Sequence, residues 1–114
     1  MSPARYVPER GDLLWLTFYP QAGHEQAGRR PALVLSPSAY NRRANLALVC
    51  PITSAAKGYP FEVALPSGLP LAGVVLADHL KSADWGARRA EFVIKVSADL
   101  LAEVTAKLRP LLGI

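Results

Sequence analysis

Apolar residues in this 114-residue chain come in short runs, and its 10 prolines and 8 glycines fall mostly between those runs. Such punctuation leaves no room for long helices over most of the length and points to short strands joined by tight turns. The first run, residues 13–18, is entered through Gly11-Asp12. Trp15 and Phe18 are an odd number of positions apart, so a regular strand turns them to opposite faces. One belongs to a core. Phe18, nearer the polar segment that follows, is the candidate for an aromatic platform under a nucleobase, with packing as the alternative. Residues 32–36, 46–50, 61–65, 72–77 and 90–96 read as further strands, and 78–85 continues the fifth or turns out of it. Pro51 is expected to stop the ladder after residue 50. Pro37 suits the first turn of a short helix over 38–43.

Residues 1–10, polar and holding two prolines, read as an arm or first turn. At the other end Ser97 can cap a helix with Asp99 in its first turn. Leu101, Val104, Leu108 and Leu111 then recur at three-and-four spacing and form one apolar stripe. Pro110 is expected to end or kink that helix near Arg109. The sum is a single domain over residues 1–114, mainly β with a C-terminal helix, in the form of a small barrel. SH3-like and OB-like barrels fit this pattern equally.

One segment is chemically denser than the rest. Gly23-His24-Glu25-Gln26-Ala27-Gly28-Arg29-Arg30-Pro31 holds an imidazole, a carboxylate, a carboxamide and two guanidiniums between two apolar runs. It reads as a polar loop over 19–29 slung between two strands, where scaffolds place binding and catalytic groups. The alternative is a solvated hairpin loop.

Composition bounds the function. Hydrophobic residues make up 51% of the chain, which excludes a disordered polypeptide. No apolar run approaches the ~20 residues of a membrane helix, and no secretory pattern opens the chain. Cys50 is the single cysteine, so neither an intrachain disulfide nor a cysteine-rich zinc site can form; a small buried thiol is expected. Together these features favour the cytoplasm. Thirteen Lys and Arg against nine Asp and Glu give a formal charge of +4, which favours polyanionic partners. Arg29, Arg30, Arg42, Arg43, Lys57, Lys81, Arg88 and Arg89 fall mostly in the expected loops, free to line one face. His24 and His79 have no second imidazole at ligand spacing, and no C-x-x-C, P-loop or dinucleotide fingerprint is present. No metal and no cofactor is expected.

The pattern Pro20-x-x-Gly23-x-Glu25-Gln26-x-Gly28-x-Arg30-Pro31 resembles the signature of the MazF/PemK family of toxin endoribonucleases. The resemblance continues in order through Gly11-Asp12-Leu13-Leu14-Trp15, Val34-Leu35-Ser36-Pro37, Tyr40-Asn41, Pro51-Ile52-Thr53, Lys57-Gly58-Tyr59-Pro60-Phe61-Glu62-Val63 and Leu76-Ala77-Asp78-His79-Leu80-Lys81-Ser82. It implies the SH3-like barrel of MazF/PemK and CcdB toxins. It also implies a type II toxin–antitoxin system and metal-independent, sequence-specific cleavage of single-stranded RNA by its own 2′-hydroxyl, with an acidic antitoxin and a homodimer as partners.

On that reading the protein must take the hydroxyl proton, neutralise charge at phosphorus and protonate the leaving oxygen. Arg30 matches the family's catalytic arginine, and its permanently charged fork suits charge stabilisation better than proton donation. Glu25 and His24 are the proton-mover candidates, with binding of a base as the alternative for His24. Thr53 matches a threonine beside that arginine. Phe18, Gln26, Arg29, Asn41, Lys57, Asp78, His79 and Lys81 are candidates for holding RNA. PemK-like members carry an arginine two residues before the matching aspartate, where this chain has Leu76, so no mechanism resting on that arginine applies. Two other classes stand beside this one. A CcdB-like gyrase-binding toxin would depend on a Trp-Gly-Ile end, whereas this chain ends Leu112-Gly113-Ile114. The other is a non-catalytic SH3-like RNA-binding module.

Overall fold

The computed structural model describes residues 5–18 and 28–114. Seven strands, two helices and one 3-10 turn follow in the order β1 (Asp12–Phe18), β2 (Gly28–Val34), α1 (Ser38–Ala44), β3 (Ala47–Thr53), β4 (Glu62–Ala64), β5 (Val74–Leu76), the turn Ala77–His79, β6 (Lys81–Ala83), β7 (Glu91–Lys95) and α2 (Ala98–Leu112). The strands form one antiparallel sheet in the order β4-β5-β3-β2-β1-β7, with β6 paired to β3 off that path. The expectation of a mainly β fold with a terminal helix is met. Barrel closure is not seen: among the described residues the path ends at β4 and β7, which do not pair with each other.

Both faces of the sheet are buried, and strand alternation assigns each residue to a side. Leu13, Leu33, Cys50 and Ile52 pack under α2 with Leu100, Val104 and Leu108. Leu14, Leu16, Ala32, Val34, Ala47 and Val49 form a second core with Trp85. Leu13, Leu14, Leu16 and Leu33 are fully buried, each contributing about 1.5–3 kcal/mol relative to exposure. The central run of β1 therefore stabilises two cores at once, which fixes its register.

Several boundaries differ from the sequence expectation. β2 begins at Gly28, not at residue 32, so Arg29 and Arg30 lie on a strand and not in a loop. β3 runs through Pro51 to Thr53. Pro51 lies opposite Ala32 at the last described pair between β3 and β2, and β3 then takes β5 as its partner at Ile52↔Val75 and Thr53↔Val74. The ladder with β2 ends at the proline as expected, while the strand itself continues and pairs with β5 on its other edge. Gly73, at φ +135°, limits β5 at its start; a Cβ there would lie 2.3 Å from the Thr53 carbonyl oxygen.

α2 continues through Pro110 to Leu112 and ends at Gly113 in the left-handed region. Proline this near the end removes a single helical hydrogen bond, and the Ile114 amide closes the terminus on the Arg109 carbonyl at 3.0 Å. Ser97 caps the other end as expected, accepting from the Leu100 amide at 3.2 Å. The buried stripe is Leu100, Val104 and Leu108 with Leu101 partly covered, whereas Leu111 is exposed. No helix is long and apolar enough to cross a membrane among the described residues.

The segment before β1 is tied down by a carboxylate. Glu9 accepts from the Ser38 amide at 3.0 Å and the Ser38 hydroxyl at 2.7 Å, and so caps α1 from outside it. Those bonds hold the Glu9 carboxyl below its usual range. Asp12, itself buried, accepts from the Tyr6 hydroxyl and from Lys95 Nζ at 2.8 Å. Burial, then the bond to Asp12, push the Tyr6 phenol well above its usual range.

Candidate functional site

Register brings the expected site residues of three strands to one face. Leu16 pairs with Arg30 across β1 and β2, and Ala32 pairs with Pro51 across β2 and β3. Arg30 and Thr53 lie two residues beyond that pair, where the paired register between β2 and β3 has ended and Thr53 is matched with Val74 of β5; alternation turns both side chains to the side of the sheet that holds the second core. Phe18, two beyond Leu16, shares that face. Arg30 and Thr53 are half-buried. The Thr53 hydroxyl accepts from the Ala55 amide at 3.1 Å, which fixes its rotor and leaves its proton to donate. A forked cation and a hydroxyl on one face, both partly shielded from water, suit a phosphate group.

Phe18 caps the second core at its edge and is packed against it. The packing alternative is met, and the ring is also flanked by cations. Lys81 Nζ lies 5.3 Å from the ring centroid and the Arg88 guanidinium carbon 4.9 Å. Arg88 was legible only as one loop cation among eight. Its place follows from the turn before β7, where the Thr17 amide donates to the Arg88 carbonyl at 2.8 Å and Arg88 Nη1 donates to the Thr17 carbonyl at 3.3 Å.

Other expected residues lie elsewhere. Lys57 and Gly58 donate their amides to the Glu62 carboxylate at 3.0 Å, which shapes an exposed loop that also presents Tyr59. The Lys57 ammonium is 6.0 Å from the Tyr59 ring. Asp78 and His79 are exposed on the 3-10 turn, with Nε2 to Oδ1 at 3.9 Å. Behind that turn the Cys50 thiol is buried 3.7 Å from the Ala77 carbonyl oxygen. Burial, and then the Asp78 charge, push its pKa up to about 12.

Two expectations need correction. Asn41 is fully buried, not turned to a ligand. Its amide donates to the Pro8 and Ser36 carbonyls at 2.8 and 2.9 Å, its side-chain oxygen accepts from the Ser36 hydroxyl, and its backbone carbonyl accepts from the Trp85 indole at 3.1 Å. Arg29 is not an open loop cation. Nη1 donates to Thr17 Oγ1 at 2.6 Å, and Nη2 donates to the Arg89 carbonyl at 2.8 Å and to Glu91 at 3.0 Å. His24, Glu25 and Gln26 lie outside the described residues.

The family model for the PemK-like, MazF-like toxin of type II toxin-antitoxin systems matches residues 9–112. The endoribonuclease toxin MazF of Escherichia coli (strain K12) is 49% identical over 110 residues, covering 96% of this chain and 98% of that protein. Endoribonuclease PemK of Escherichia coli is 36% identical over 108 residues, covering 91% and 81%. Among solved structures, a chain of MazE-MazF (Form-II) from Deinococcus radiodurans superposes with a TM-score of 0.90 at 63% identity, over 96% of this chain and 99% of that one. A mycobacterial endoribonuclease at 22% identity and TM-score 0.75 shares the fold. With the family model spanning nearly the whole chain and close relatives of the same length, this chain belongs to the PemK-like, MazF-like family of type II toxins.

Proposed function

We propose that this chain is the toxin of a type II toxin–antitoxin system and a sequence-specific, metal-independent endoribonuclease acting on single-stranded RNA in the cytoplasm. The observation that carries the reading is that Arg30 and Thr53 leave the sheet on one face, where Phe18 lies between Lys81 and Arg88. The endoribonuclease names of its relatives support it. The substrate's 2′-oxygen forms the new bond to phosphorus and the bond to the 5′-oxygen breaks. One of Glu25 and His24 takes the 2′-hydroxyl proton, and the other gives a proton to the departing 5′-oxygen. Arg30 neutralises the charge that grows on the phosphoryl oxygens, the term on which such a reaction depends most. Thr53 donates to the same group. Phe18 stacks on a base while Lys81 and Arg88 meet the backbone on either side. Lys57, Asp78 and His79 extend the binding surface. The ends left are a 2′,3′-cyclic phosphate and a 5′-hydroxyl.

A MazE-like acidic antitoxin tail would meet the same cations, and the complexes solved for the Deinococcus relative support such a partner. Leu48, Leu112 and Ile114 are exposed beside Leu35 and Leu108, an apolar patch that supports a twofold homodimer. The test is a fluorescent single-stranded RNA and its DNA counterpart, each incubated with the protein in excess EDTA. RNA is cut and DNA survives, because DNA lacks the nucleophile. Cleavage that appears only on adding Mg²⁺ contradicts the proposal.

A further inference from the structure

Arg29 and Arg30 are adjacent on β2, so their side chains leave opposite faces of the sheet. Arg30 shares its face with Leu16 and Phe18, whereas Arg29 pairs with Thr17 on the other. From there its guanidinium joins three elements: Thr17 on β1, the Arg89 carbonyl in the turn before β7, and Glu91 on β7. Arg89 is in the left-handed region at φ 56°, a conformation that a non-glycine residue holds only under constraint. The Arg29 bond falls on the carbonyl of that residue. The same turn carries Arg88, which exchanges hydrogen bonds with Thr17 and sits beside the Phe18 ring. The Arg29–Glu91 pair is open to water on the Glu91 side, with side-chain accessibilities of 36% and 67%, so it adds little to global stability.

We infer that Arg29 is a positioning residue for substrate binding: it locks the turn over residues 84–89 against β1 and so holds Arg88 beside Phe18 before RNA arrives. The inference rests on the RNA-cleaving reading of the Arg30 face. Arg29 does not touch the substrate, since reaching it would break three hydrogen bonds and cross to the opposite side of the sheet. Preorganising the platform lowers the ordering cost of binding and leaves the chemical step to Arg30. Glu91 belongs to the same device, although as a carboxylate near a polyanion it would otherwise only oppose binding.

That sign difference gives the test. Wild type, R29A and E91Q are compared on an RNA that the wild type cuts and on its 2′-O-methyl counterpart, with KM, kcat and the salt dependence of Kd measured for each. Amide exchange of Thr17, Arg89 and Ala90 is followed in parallel. R29A should raise KM on the order of tenfold with kcat nearly unchanged. E91Q should shift KM the same way by less, and both should keep the wild-type salt slope. Exchange at the three amides should quicken in both variants. A salt slope reduced by about 0.7 in R29A, together with tighter binding by E91Q, would mean that Arg29 meets a phosphate directly and would overturn the inference. Unchanged amide exchange in R29A would overturn it as well. A wild type that neither cuts nor binds RNA defeats the proposed function instead, a failure read separately from the exchange data.

Discussion

Thr53 and Arg30 share the face of the sheet that presents Phe18, because each lies two residues from a member of the Ala32–Pro51 pair and alternation turns it to the same side. β3 keeps its direction through Pro51, where its ladder with β2 ends, and its other edge pairs with β5 at Ile52 and Thr53. The threonine therefore stays within the sheet. On this account Arg30 is the main stabiliser of charge in the transition state. R30A should lower kcat by 10²-fold or more, on the order of 3 kcal/mol, with the circular dichroism spectrum and melting profile retained. R30K should recover only part of the loss, since an ammonium lacks the bidentate fork. T53A should fall between R30K and wild type. Wild-type turnover by R30A would remove Arg30 from the chemistry.

Asn41 acts through stability. Its amide and carbonyl join the segment before β1, the start of α1 and Trp85 in one buried network. N41A strands the Pro8 and Ser36 carbonyls and should cost about 2–4 kcal/mol. Thermal denaturation should show a lower midpoint. At a temperature where the variant remains folded, kcat/KM on RNA should match wild type. A selective rise in KM without loss of stability would return Asn41 to the RNA surface.

Burial pushes the Cys50 thiol up to about 12 in the folded protein, from an ordinary value of 9.0. A folded pKa above the unfolded one gives stability that is fully present below pH 9 and is lost as pH rises from 9 through 12. Iodoacetamide at pH 8.5 should leave the native protein unmodified and label the denatured chain. C50A should weaken the alkaline loss of stability. Rapid labelling of native protein would show that the thiol is open to solvent.

An acidic peptide with a Trp or Leu anchor should compete with RNA for the surface around Arg30, Lys81 and Arg88. Its affinity should fall as salt rises. Titration with and without excess 2′-O-methyl RNA at two salt concentrations reads both effects. Peptide affinity indifferent to RNA would place the two ligands on separate sites. Sedimentation at micromolar concentration should show a dimer, and a monomer there would contradict the role given to the Leu48–Ile114 patch.

The strands and the capped terminal helix were legible because each local signal agreed with the fold: apolar runs, turn residues, and Ser97 ahead of a helical stripe. Arg30 is singled out as a candidate by its motif. The start of β2 was not, because Gly28-Arg29-Arg30-Pro31 carries no apolar alternation and reads as loop. Its strand character comes from pairing with the apolar run of β1. That boundary decides the site, since only a strand sends Arg29 and Arg30 to opposite faces. Asn41 lies in a polar stretch beside Arg42 and Arg43, and its burial depends on Pro8, Ser36 and Trp85, all set by tertiary structure. Arg88 meets Phe18 across a separation in sequence that no local pattern spans. Pro110 was misleading for a simpler reason: near a helix end its missing donor leaves little to break.

The central claim is that Arg30 assists an attack by the substrate's own 2′-hydroxyl. The most direct measurement is mass spectrometry of the fragments cut from one defined RNA in EDTA, beside the same RNA carrying a single 2′-deoxy nucleotide on the 5′ side of the cut. The account predicts a 2′,3′-cyclic phosphate and a 5′-hydroxyl from the first, no cleavage at that position in the second, and almost none of either product with R30A. A 5′-phosphate on the downstream fragment, or undiminished cutting at the 2′-deoxy position, would contradict it.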